Sequence, residues 1–216
     1  MQYQELKAWL EEKNIKLVAV SKTKPVAAIQ ELYDKGQRDF GENRVQEMTE
    51  KMEALPKDIR WHLIGHLQKN KVKYIVPSVY MIHSLDNLAL AKKIDRESQK
   101  HDCQTKVLLQ IKIAQEDSKF GYDYEVLLDE IKEIKALRNL EICGVMGMGT
   151  FTDDTSLTRK EFSKLKSYFD ELKQIHFSEE EGFKEISMGM SGDYKVAAEY
   201  GTSMVRIGSL IFGARN

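Results

Sequence analysis

Cysteine and proline are scarce in this chain, and neither one sign of charge nor a long apolar run dominates it. There are two cysteines, Cys103 and Cys143, in 216 residues. Neither lies in a CxxC pair or in a Cys/His cluster with metal-ligand spacing, which excludes a disulfide scaffold and a zinc ribbon. A reducing, cytoplasmic setting is the expectation. The three prolines, Pro25, Pro56 and Pro77, sit in no Pro/Gly/Ser-rich linker. No domain boundary is therefore placed, and residues 1–216 are expected to form one domain. With 33 basic and 34 acidic residues, no global field favours nucleic acid or an anionic membrane. No stretch approaches about 18 consecutive apolar residues, so no span is predicted. The segment Met1–Glu12 carries Glu5, Glu11 and Glu12 and does not read as a leader.

What is present is an alternation. Short apolar or β-branched runs ending in Gly, Ser or a polar residue precede longer segments of helical periodicity. The runs are Leu17–Val20, Asp39–Gly41, Trp61–Gly65, Tyr80–Ser84, Val107–Ile111, Leu140–Met146, Glu185–Met188 and Met204–Gly208. Helical patterns cover Val26–Lys35, Val45–Ala54, Leu88–Lys100, Val126–Ala136, Leu157–Phe177 and Tyr194–Tyr200, with Asp86 or Asn87 as N-cap of the third. An extra helix, Tyr3–Lys13, comes first. Eight strands with crossover helices predict an α/β chain, a single (β/α)8 TIM barrel with an added N-terminal helix. The rival, an open doubly wound sheet, usually has a glycine-rich turn after its first strand. Here that turn reads Ser21-Lys22-Thr23-Lys24-Pro25, without glycine.

Barrel chemistry sits at the C-terminal strand ends. Those ends hold Ser21, Lys22, Glu42, Asn43, Gly65, His66, Ser84, Met146, Met148, Ser191, Arg206 and Gly208. Lys22 is either a solvated strand-end lysine or an amine in the barrel mouth, where burial disfavours the ammonium and leaves a nucleophile for an aldehyde. The small-residue loops Ser187–Asp193 and Arg206–Gly213 follow the seventh and eighth strands. They are ordinary tight turns or the phosphate site that barrels build there. Arg206 only donates hydrogen bonds, and its acceptor is either a carboxylate such as Glu42 or Glu199 or an aromatic ring nitrogen. Asn43 has helix N-cap as its alternative role. His62 and His66 read as core or rim residues rather than metal ligands. Met146, Met148, Met188 and Met190 either fill gaps or pack on a flat ring.

Five ordered segments carry a resemblance. Val18–Pro25 is similar to the cofactor-lysine strand of the pyridoxal 5′-phosphate (PLP) homeostasis proteins, single-domain relatives of alanine racemase also called the proline-synthetase co-transcribed family. Gly41–Glu47, Trp61–Lys71, Ser187–Asp193 and Arg206–Gly213 resemble that family's further motifs, in order and over nearly the whole chain. The resemblance implies that Lys22, not Lys24, forms the internal aldimine with PLP. It implies phosphate contacts from Ser191-Gly192 and Gly208-Ser209, and an Arg206 facing the pyridine nitrogen. Asn43 and the Met146/Met148 segment would line the ring, and Ser84 is grouped with them as cofactor-binding.

An arginine donor at the pyridine nitrogen excludes a proton there, and a neutral ring is a weaker electron sink. Alanine racemase adds a tyrosine from a separate β-domain across a dimer. Eight residues follow Gly208 here, so no such domain and no racemase-type dimer are expected, and a monomer is. The resemblance thus implies a carrier and buffer of PLP that supports vitamin B6 and amino-acid homeostasis without robust turnover, with PLP-dependent apoenzymes as partners. Two alternatives stay open: a PLP-dependent racemase with Tyr122 or His66 as second base, and a phosphate-metabolite barrel enzyme whose Lys22 forms a Schiff base with substrate.

Overall fold

Each β-branched or apolar run becomes a strand, and the eight strands close in sequence order. The structure, a computed structural model, describes residues 3–114 and 120–213. The strands are β1 (Lys16–Val20), β2 (Asp39–Glu42), β3 (Arg60–Leu63), β4 (Met81–Leu85), β5 (Thr105–Gln110), β6 (Leu140–Met146), β7 (Glu185–Ser187) and β8 (Met204–Ile207). They form a closed parallel barrel in the order β1 to β8, with β8 pairing back onto β1. The helices are α1 (Tyr3–Glu12), α2 (Val26–Asp34), α3 (Val45–Ala54), α4 (Leu88–Lys100), α5 (Tyr124–Lys135), α6 (Thr155–Ile175), α7 (Tyr194–Glu199) and α8 (Ser209–Phe212). Between β3 and β4 the crossover is a short 3-10 helix, Lys69–Tyr74. Gly65 and Gly208 lie just beyond their strands rather than inside them.

Helix starts follow local chemistry. The Asn87 side chain accepts from Leu90 N at 2.8 Å and caps α4, while Asp154 accepts from Ser156 N at 2.8 Å and caps α6. α1 buries Leu6 and Leu10, sets Trp9 edge-on to Tyr194 of α7 at 5.3 Å, and reaches Gln37 through the Tyr3 hydroxyl at 3.1 Å. Among the described residues no helix is long and apolar enough to cross a membrane.

Strand alternation sorts the core into two layers. Residues such as Ala19, Phe40, Leu63, Ile82 and Ile207 face the helices. Val18, Met81, Leu108, Cys143, Met146 and Met204 fill the barrel interior. Two irregularities decide what points inward. On β6 the register slips beside Gly144, so Cys143 and Met146 both face inside. Gly144 has φ +149°, and a Cβ there would overlap the Glu185 carbonyl oxygen, a position only glycine can hold. On β4 the register slips between Ile82 and Leu85. His83 stays inside, and Ser84 turns its hydroxyl onto the Gly65 carbonyl at 2.7 Å.

Candidate functional site

The C-terminal end of β1 is held from outside the barrel. Ser21 donates to Glu42 Oε1 at 2.6 Å. The buried Lys51 ammonium of α3 donates to the Ser21 carbonyl at 2.8 Å, to Glu42 Oε1 at 2.8 Å and to Glu47 Oε1 at 2.7 Å. Glu47 also accepts from Thr23 N at 2.5 Å, and Thr23 adopts φ +64°, an uncommon conformation for a β-branched residue. This strap clamps the residues on both sides of Lys22. The alternation that puts Val18 inside the barrel carries the half-buried Lys22 to the mouth, while Ser21 faces out. Lys24 is committed elsewhere: its Nζ donates to the Phe212 carbonyl at the end of α8, at 3.2 Å.

Arg206 pairs in register with Val18 and so also points inward. It is 4% exposed. Its Nη1 donates to the Ser187 carbonyl at 2.7 Å and to Ser187 Oγ at 2.6 Å, and its Nη2 to the Gly147 carbonyl at 3.0 Å. Burial pushes the guanidinium down to about 10, opposed by the charge of Asp193. The carboxylate partners proposed from sequence are both taken: Glu42 pairs with Lys51 and Glu199 with Arg159. Among the described residues the arginine's contacts are therefore carbonyls and a hydroxyl.

Behind Ser187 lies a run of polar side chains through the barrel. His83 Nδ1 is 3.0 Å from Ser187 Oγ. His83 Nε2 is 2.8 Å from His62 Nδ1. His62 Nε2 is 2.9 Å from Asp39 Oδ1. Arg60 binds Asp39 through Nε at 2.9 Å and Nη2 at 2.5 Å. His62 and His83 have no exposed surface.

Two loops complete the mouth. After β7, Asp193 Oδ1 accepts from Met190 N at 2.5 Å, while the amides of Ser191 and Gly192 make no hydrogen bond among the described residues. A Cβ at Gly192 would meet nothing within 4 Å, so its backbone faces open space. After β8, the first N–H groups of α8, on Ser209 and Leu210, have no preceding helical carbonyl to donate to. Gly208 lies against the end of β1, where a Cβ would stand 3.0 Å from the Val20 carbonyl oxygen. The α8 loop and the Lys22 turn are thus neighbours.

The profile of the alanine racemase N-terminal domain family matches residues 1–216. The pyridoxal phosphate homeostasis protein of Synechocystis sp. is 40% identical over 207 residues, covering 94% of this chain and 92% of that protein. The human pyridoxal phosphate homeostasis protein is 40% identical over 213 residues, covering 93% of this chain and 77% of its own length. The chain belongs to the pyridoxal phosphate homeostasis family. Synechococcus elongatus PipY with PLP bound is 35% identical, with TM-score 0.87 over 98% of this chain and all of that one. Clostridium difficile alanine racemase, 17% identical with TM-score 0.77 over 58% of its length, shares the barrel.

The residues expected from sequence divide by their surface in this family member. Lys22, Asn43, Ser191, Gly192, Gly208 and Ser209 are at least partly exposed around the mouth, and Met148 is 40% exposed on the β6 loop. Asn43 is not the cap of α3, which is Arg44. A Cβ at Gly65 would overlap the Asn43 carbonyl oxygen, so the two loops stack at their backbones. Ser84 and Met146 have no exposed surface. Ser84 points away from the interior, its hydroxyl on the Gly65 carbonyl, and Met146 lies in the interior layer below the mouth, so neither presents a contact surface here. Met188 is buried in the outer layer. Tyr122, considered as a second base, points its hydroxyl at Glu130 of α5, at 3.0 Å. Burial and then that carboxylate push its phenol far up. His66 lies on the rim, 3.2 Å from Asp86 and stacked on Phe120. His83 and Lys51 escaped the reading of strand ends. Met81 and His83 two apart on one apolar strand was the available signal for the first; a lysine inside an otherwise ordinary helix gave none for the second.

Proposed function

We propose that this protein binds PLP in the C-terminal mouth of its barrel, with Lys22 as the covalent anchor, and serves as a carrier and buffer of the cofactor. The observation that carries the reading is the placement of Lys22 and Arg206 in one mouth, the guanidinium touching only neutral acceptors among the described residues. The donor set fits PLP. Ser191-Gly192 and Gly208-Ser209 offer backbone N–H groups to a phosphate dianion, and Gly192 leaves room for it. Asn43 and the Met148 thioether offer contacts to the ring, Met146 lies beneath them in the interior layer, and Ser84 holds the Gly65 loop that stacks on Asn43. When bound, PLP supplies an aldehyde that a primary amine attacks and a pyridine ring that withdraws electrons.

The chain's own residues then set the limits of its chemistry. The Lys51 strap fixes the turn that presents the Lys22 amine. Arg206, always a donor, would hold a pyridine nitrogen facing it unprotonated, which would weaken the ring as an electron sink. Tyr122 is spent on Glu130. These features support binding and release over turnover, and the names of the relatives support a role in PLP homeostasis. We further assign the protein to the cytoplasm as a monomer that passes PLP to PLP-dependent apoenzymes.

The test is an absorbance spectrum of the purified protein, before and after borohydride. The expected result is a visible band that reduction converts into a stable adduct on the Lys22 peptide, absent in Lys22→Ala. Stoichiometric retention of PLP by Lys22→Ala through gel filtration would overturn the anchor. No band after incubation with PLP would overturn the site.

A further inference from the structure

The polar run behind Arg206 has a single self-consistent direction. Burial opposes ionisation of Asp39, yet the Arg60 and His62 hydrogen bonds hold its carboxyl well below the usual range. An ionised carboxylate only accepts, so His62 donates through Nε2. Burial keeps His62 neutral, and its Nδ1 therefore accepts, which makes His83 the donor through Nε2. Burial, reinforced by the cationic neighbours, keeps His83 neutral as well. Its Nδ1 accepts from the Ser187 hydroxyl, and Ser187 Oγ in turn accepts from Arg206. Every donor in the chain points from the mouth toward the floor.

Both ends of this chain are closed. Arg206 does not release a proton at neutral pH, and Asp39 does not take one. The run is consequently a fixed dipole chain rather than a proton path. A carboxylate in direct contact with Arg206 would be the simpler counter-charge, but it would occupy the guanidinium donors and place a proton acceptor beside them. Asp193 acts on Arg206 only through space, its Oδ1 held by Met190 N.

We propose that Ser187, His83, His62 and Asp39 are positioning residues for Arg206, tying the mouth guanidinium to a carboxylate at the barrel floor so that everything touching it stays neutral. This rests on the reading of the mouth as a PLP site, with Arg206 toward the ring nitrogen. The chain orients Arg206, and the remote Asp39 polarises its acceptors through two imidazoles and a hydroxyl. The cofactor's ring end then faces a cation without an adjacent acid.

Two measurements test it. In cofactor-free protein carrying 15N-labelled histidine, long-range 15N–1H correlation spectra should show two neutral rings, both protonated on Nε2, assigned to His62 and His83 by single His→Gln variants. A ring protonated on Nδ1, or an imidazolium, at pH 7 would overturn the direction of the chain whether or not PLP binds. In PLP-loaded protein, His83→Gln keeps both partners, its amide donating to His62 and its carbonyl accepting from Ser187, whereas His83→Leu keeps neither. The expected result is a shifted visible band and PLP retention weakened on the order of tenfold in His83→Leu, with both restored in His83→Gln. Equal behaviour of the two variants, altered or unaltered, would overturn the positioning role. If His83→Leu does not fold, the tautomers of the native protein decide alone.

Discussion

Acidification should destabilise the cofactor-free protein well before its carboxylates titrate. His62 and His83 are fully buried, and burial lowers both imidazoles, His83 the more strongly. His62 faces Asp39, His83 and the Tyr80 ring, with Lys16 and Arg60 acting on it through space. His83 faces His62 and Ser187, with the charges of Arg206 and Lys16 nearby. In the unfolded chain each ring takes up a proton near pH 6.5; in the folded chain each resists until lower pH. The unfolded state therefore binds more protons below about pH 6.5, and stability falls as pH drops through that value. His83, held well below the ordinary imidazole range, loses about 1.4 kcal/mol between pH 7.5 and 5.5, and His62 adds a smaller loss in the same direction, together a considerable part of an ordinary folding stability. Asp39 stays ionised throughout, since its own contribution is lost only as pH falls below about 4. Urea unfolding at pH 7.5, 6.5 and 5.5, followed by tryptophan fluorescence, should show the midpoint falling at constant m-value. His83→Gln should remove the larger part of the pH dependence. An unchanged midpoint across this range would refute the assignment of two neutral buried histidines.

Three further outcomes follow from the geometry. Lys51→Met leaves Glu42 buried without its cation and should cost about 3–5 kcal/mol; a loss below about 1 kcal/mol in urea unfolding would show that the strap is dispensable. Lys24→Ala gives up one hydrogen bond to the Phe212 carbonyl, at about 1 kcal/mol, and should leave the borohydride-fixed adduct on Lys22; loss of that adduct would move the anchor. Gly144→Ala forces a Cβ into the Glu185 carbonyl and should lower stability by about 2 kcal/mol or more. A native-like Tm would mean the β6 irregularity is easily rebuilt.

The barrel was legible because its signals are local and repeated. Runs such as Leu17–Val20 and Leu140–Met146 announce strands, and the periodicity of Val45–Ala54 announces a helix between its neighbours. The mouth was legible for the same reason, since strand ends are found by counting. What stayed hidden depends on register. On β4, alternation from Met81 sends His83 inward, but the one-residue slip that turns Leu85 to the outer layer, and the Ser84 bond to Gly65, have no local trace. Met146 owes its interior position to a bulge whose sole trace in the sequence is Gly144. The partners of Arg206 come from β6 and β7, and the Lys51 strap joins α3 to the end of β1. Both are long-range pairings that no local pattern announces.

The contact between Lys24 and Phe212 joins positions 188 apart in the chain, and Gly208 rests on Val20 beside it. The first and last strands thus supply the amine and one of its facing loops at a single seam. During synthesis the lysine emerges early but stands alone, because Arg206 and the α8 loop are still to be made and β1 has no β8 to pair with. The mouth comes into being at ring closure, so a chain stalled or cut before the eighth strand carries the lysine without a pocket. Capture of a ligand across this seam would pin the barrel's beginning to its end, resisting unzipping at the place where a closed ring of strands can open.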